Sequence, residues 1–75
     1  MELEYNVILE EEEDGWYSAW VPALPGCASQ GRTKQEALRN IQEAIELHIW
    51  ALKDDGLPVP PGDREVAVER VRVAA

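Results

Sequence analysis

The sequence predicts an α+β fold of order β-β-β-α-β, in which an antiparallel three-stranded meander plus a fourth strand pack on one helix. Three observations lead there. Apolar and polar residues alternate around an Asp-Gly pair, the pattern of half-buried strands joined by a hairpin. A capping box opens a long segment whose apolar residues recur at helical spacing. Prolines and glycines cut the remainder into short extended pieces.

Residues 3–10 form the first expected strand. Leu3, Tyr5, Val7 and Leu9 share one face and Glu4, Asn6 and Glu10 the other, with Ile8 as the exception. Glu11, Glu12, Glu13 and Asp14 follow and close on Gly15. Asp-Gly tolerates positive φ, so it suits a tight turn between strands. Residues 16–21, rich in aromatic and β-branched side chains, form the second strand. Pro22 and Pro25 end it, because proline cannot donate to a ladder. Gly26 turns the chain, and residues 27–30 make a short third strand that Gly31 stops.

Thr33 is the expected helix N-cap, with Glu36 three positions on to return its hydrogen bond. The helix should run to about Asp54, with Gly56 as its left-handed cap. At 100° per residue, Ala37, Leu38, Ala44, Ile45, His48 and Leu52 fall within about 60° of Ile41, one stripe that can face a sheet. Residues 57–62, with Pro58, Pro60 and Pro61, read as a stiff connector. Residues 65–73 are the last expected strand. Val66 and Val68 share one face but Val71 and Val73 the other. That shift requires a β-bulge near Glu69-Arg70, or cover on both faces, one of them from a neighbouring subunit.

A chain of 75 residues predicts a single domain spanning 1–75. A domain this small buries only about 60% of the surface its unfolded chain exposes, so it needs help. Cys27 is the one cysteine and His48 the one histidine. Internal disulfides, Cys₄ or Cys₂His₂ zinc sites and His-rich metal centres are thereby excluded. Self-association into a dimer or tetramer is the expected remedy.

The net charge is −8, and the seven basic residues are scattered. That field repels nucleic acid, so direct nucleic-acid binding is not expected, whereas a basic protein is attracted. The start of the chain has neither a basic n-region nor an apolar h-region, and no apolar run approaches the roughly 18 residues of a membrane span. With a lone unpaired cysteine, this predicts a cytoplasmic protein with no membrane association.

Candidate chemistry is thin. His48 lies on the apolar stripe, and without a second histidine a structural role fits better than a general base. Cys27 has no adjacent base and reads as a small buried hydrophobe. The acids gather in the hairpin turn and on the outer helix face, not as converging carboxylates. No catalytic residue, metal ligand or cofactor is therefore assigned, and no enzyme is expected. Trp50 is the most informative residue. It falls about 180° from the apolar stripe, with Leu47 one turn earlier, amid Glu43, Glu46 and Asp54. Tryptophans are enriched at interface hot spots, so Trp50 and Leu47 are candidate partner or oligomer contacts. The other seat for Trp50 is beneath the proline connector. Trp16 and Trp20 share one face of the second strand and are further interface candidates; either they or Tyr17 and Val21 point away from the helix.

The run Pro22-Ala23-Leu24-Pro25-Gly26-Cys27-Ala28-Ser29-Gln30-Gly31-Arg32-Thr33, continued by Glu36-Ala37, Asn40 and Glu43-Ala44-Ile45, resembles the HicB antitoxin family. So does Asp55-Gly56-Leu57-Pro58-Val59-Pro60. The resemblance spans nearly the whole chain and implies a partial ribonuclease-H-like fold, the fourth strand joining the sheet. It also implies a function: neutralising a HicA-type toxin, a small basic RNA-cleaving protein. Longer family members add a C-terminal DNA-binding module; here the sequence stops after the last expected strand, as in a short, single-domain member. Two alternatives stand beside this reading. One is a solitary homo-oligomeric protein without a toxin. The other is a degenerate metal-dependent nuclease, whose chemistry needs carboxylates that hold two Mg²⁺ ions about 3.5–4 Å apart.

Overall fold

In the computed structural model, which describes residues 2–75, β1 (Ile8–Glu11), β2 (Tyr17–Trp20) and β3 (Ala28–Gly31) form one antiparallel sheet in the order β1-β2-β3. The β1–β2 turn spans Glu12 to Gly15 and closes through Gly15 N–H donating to the Glu12 carbonyl at 3.0 Å. Gly15 takes φ 86° while Asp14 stays at negative φ. The turn thus uses one left-handed residue, not the pair that a two-residue Asp-Gly hairpin would need. Asp14 contributes through its carboxylate, which accepts from Trp16 N–H.

Between β2 and β3 the Pro-Gly motif folds as two successive turns. Leu24 N–H donates to the Val21 carbonyl and Cys27 N–H to the Leu24 carbonyl, both at 3.0 Å. Gly26 supplies the positive φ of 85°. The result drives Leu24 inward, where it is fully buried with Ala19, Val21, Cys27, Ala37 and Ile41. This motif is a core-building device.

The helix α1 (Lys34–Asp54) begins as expected: Glu36 N–H donates to Thr33 Oγ1 at 3.0 Å. The return bond from Glu36 lands one residue earlier than the usual box, on Arg32 N–H. At the other end Gly56 N–H reaches the Lys53 carbonyl and Leu57 N–H the Leu52 carbonyl, the paired bonds of a Schellman cap around Gly56 at φ 71°. The helix packs on β3 and β2. Two contacts hold it close. Gly31 abuts the Ala37 backbone, and Asn40 Nδ2 donates to the Gln30 carbonyl at 2.8 Å. Of the predicted stripe, Ala37 and Ile41 are buried and Ala44, Ile45, His48 and Leu52 half-buried, while Leu38 stays exposed at the stripe's margin.

Two expected strands differ. The first begins at Ile8, not Leu3, because Ile8 pairs with Trp20 and β2 stops there, ahead of Pro22. Residues 65–73, expected as a fourth strand with a bulge near Glu69-Arg70, form no strand. The cause lies just before them. Asp63 N–H donates to the Glu4 carbonyl at 2.7 Å, and Asp63 Oδ2 accepts from Asn6 N–H at 3.0 Å. Asn6 Nδ2 in turn donates to the Arg64 carbonyl at 2.8 Å. Side chains thus take up bonds a ladder would use. The clasp also enters on an occupied flank. Glu12 N–H bonds the Trp16 carbonyl, so the even-numbered residues of β1 bond toward β2. Tyr5, Val7 and Leu9 all pack on the core, so the alternation holds back to Glu4 and Asn6. Two residues further along, that flank belongs to Trp20.

Candidate protein-binding surfaces

The four interface candidates separate onto two opposite faces. Ala19 and Val21 are buried under the helix and Tyr17 packs against them, which settles the parity of β2. Trp16, Ser18 and Trp20 therefore lie on the sheet face away from the helix. Both indoles are half-buried. Arg32, directly beyond β3, stacks over the Trp16 ring with its guanidinium carbon 5.3 Å from the centroid. Pairing of Tyr17 with Gly31 brings these two side chains together, a relation visible only once the register is known. Across the strands, Ile8 opposite Trp20 extends the apolar part of this face.

Trp50 and Leu47 occupy the outer face of the helix, 62% and 67% exposed. Trp50 is not tucked beneath the proline connector. That connector instead runs to Tyr5, whose hydroxyl donates to the Pro60 carbonyl. Glu43, Glu46 and Asp54 lie on the same side of the helix as Trp50 and are all exposed, as is Lys53 one turn on, so an indole and a leucine sit on a mainly acidic face. Beside them, Leu47 and His48 border a shallow hollow closed by Gly26, Cys27 and Ala28.

A further feature escaped the pattern of the sequence. On the β1 side of the helix an open cleft of about 590 Å³ is lined by Leu3, Tyr5, Val7, Leu38, Ile45 and Ile49. These residues have the spacing of core positions; Tyr5, Val7, Ile45 and Ile49 are half-buried, while Leu3 and Leu38 stay exposed.

Chemistry-bearing groups do not converge. Cys27 is buried, and burial pushes its thiol pKa up, which disfavours the thiolate a nucleophile needs. His48 remains half-buried on the helix. Among the described residues, no group of three or more His, Cys, Asp or Glu is placed to hold a metal ion. The acids of residues 10–14 are exposed around the hairpin, where Glu12 accepts a hydrogen bond from the Ser18 hydroxyl. No helix among the described residues is long and apolar enough to cross a membrane.

Comparison with known proteins gives concordant matches. The profile of the HicB-like antitoxins of bacterial toxin–antitoxin systems matches residues 5–72. A UPF0150 protein of Thermoplasma acidophilum is 49% identical over 63 residues, covering 84% of this chain and 91% of its own. One from Synechocystis is 54% identical over 59 residues, covering 79% and 75%. Among solved structures, the N-terminal domain of the Burkholderia pseudomallei antitoxin HicB superposes with a TM-score of 0.68 at 28% identity, over 91% of this chain and 74% of that one.

Proposed function

The chain belongs to the HicB-like antitoxin family of bacterial toxin–antitoxin systems, and from that premise we propose that it binds and neutralises a small, basic, RNA-cleaving toxin of the HicA type. The observation that carries this is the Trp50–Leu47 patch: a large apolar anchor, exposed, on a mainly acidic face of a protein of net charge −8. Such a surface suits a basic partner. Long-range attraction speeds encounter, and a desolvated tryptophan sets the lifetime of the complex. The reading is of a cytoplasmic, non-enzymatic protein that needs no cofactor and acts by occupancy.

The test is direct. A purified HicA-type toxin should lose its RNA-cleaving activity when mixed with this protein near equimolar ratio. Trp50→Ala should weaken inhibition by about tenfold or more, since hot-spot truncations cost upward of about 2 kcal/mol. Full inhibition by that variant would move the binding surface elsewhere. Failure to inhibit any such toxin would defeat the reading.

Self-association accompanies it as a second reading. Val66, Val68, Val71 and Val73 are 64–87% exposed along a segment of strand-forming composition, which a lone chain gains nothing by displaying. A partial ribonuclease-H-like architecture, with residues 65–73 as its fourth strand, is the form this assembly would complete.

A further inference from the structure

We infer that residues 65–73 of one copy add as a strand to the open edge of β1 in a second copy, pressing valines into the cleft between that copy's β1 side and its helix. This rests on the self-association reading and specifies the elements that meet.

Four features converge. First, β1 is an edge strand whose odd-numbered residues, Leu9 and Glu11, turn their backbone groups away from β2 and find no partner among the described residues. The other edge, β3, is tied to the helix through Asn40. Second, the cleft along the β1 side is open and mostly apolar, with Gln42, Glu46 and Lys53 completing its lining, and Leu38 and Leu3 are 45% and 38% exposed there. Third, the segment that could fill it is near at hand but turned away. The Asp63–Asn6–Arg64 clasp lies on the β2 flank of β1, and beyond Arg64 no hydrogen bond among the described residues joins the tail to the body. The chain measures 50 × 25 × 20 Å, well beyond the roughly 32 Å length of a 21-residue helix, as an arm standing off a body requires.

Fourth, charge names the partner. Residues 64–75 carry Arg64, Arg70 and Arg72 against Glu65 and Glu69, a net +1 in a chain of −8, which leaves −9 on the remainder. The complementary surface for this arm is the body of an identical chain. The densest acids, Glu10, Glu11, Glu12 and Glu13, cap the far end of β1. Pairing parallel to β1 brings Arg70 and Arg72 alongside them. The change of parity along the arm then fits: one valine pair enters the cleft, and the other extends the outer sheet face beside Ile8. Reciprocal exchange gives a two-fold dimer.

Sedimentation or light scattering of the full chain at micromolar concentration tests this. The wild type is expected to exceed the 8.4 kDa of one chain. The double variant Val68→Asp/Val71→Asp should fall to that mass with its helical circular dichroism unchanged. Arg70→Glu/Arg72→Glu should also dissociate, and adding Glu11→Lys/Glu13→Lys in the same chain should restore assembly. A wild type that is monomeric throughout overturns both self-association and the strand exchange. An oligomer whose mass ignores the tail variants overturns the exchange alone. Neither outcome bears on toxin inhibition, which is measured separately.

Discussion

Gly31 and Ala37 touch so closely that a Cβ on the glycine would stand 2.4 Å from the Ala37 backbone nitrogen. Here the sheet hands over to the helix after only Arg32 and Thr33, and the obstructing atoms are main chain, which cannot swing aside. Gly31→Ala is expected to lower stability by about 1–3 kcal/mol, the usual cost of overpacking. A reduced urea midpoint with an unchanged slope would register it.

Leu24 and Leu47 should differ sharply in what the same truncation costs. Leu24 is fully buried, so Leu24→Ala removes contacts and leaves a hole, at a cost of about 2–5 kcal/mol. Domains are stable by only about 0.05–0.15 kcal/mol per residue, so this change should approach complete unfolding. Leu47→Ala, on the exposed helix face, should stay within about 0.5 kcal/mol. Thermal melts of the two variants side by side check the contrast.

Thr33 holds the Glu36 N–H that would otherwise lack a partner. Thr33→Ala should cost about 1 kcal/mol, while Thr33→Ser, which keeps the accepting oxygen, should cost far less. Equilibrium denaturation followed at 222 nm distinguishes them.

Burial raises the Cys27 thiol pKa in the folded chain. Below the unfolded value of about 8.5 both states hold the proton, so the thiol leaves stability independent of pH there. Above it the unfolded chain releases the proton first, so stability should decline as pH rises through the folded value. Cys27→Ala should flatten that part of the profile. Unfolding free energies for both proteins between pH 7 and 10, compared point by point, isolate the contribution.

The parts legible in sequence are those governed by local chemistry. Thr33 with Glu36 marked the helix start, and Gly56 its end, because caps depend on residues a few positions apart. Alternation placed Tyr5, Val7 and Leu9 on the core face. Trp50 fell on the outer helix face from angular spacing alone. Relations between distant segments were not legible. Arg32 over Trp16 depends on strand register, and the Asn6–Asp63 clasp joins positions 57 residues apart. The valine pattern of residues 65–73 reads as a strand because its composition is that of one; composition does not say which edge the strand meets.

The proline connector and its anchors at Tyr5 and Glu4 fix where the exposed arm is rooted, so the arm proper begins after Arg64. Eleven residues reach at most roughly 40 Å when extended. Proteases cut such unpaired, solvent-bathed segments first. Trypsin given the dilute protein should therefore clip at Arg70 and Arg72 within minutes and spare the helix, while at high concentration the same bonds should resist if a neighbouring molecule has taken the arm in.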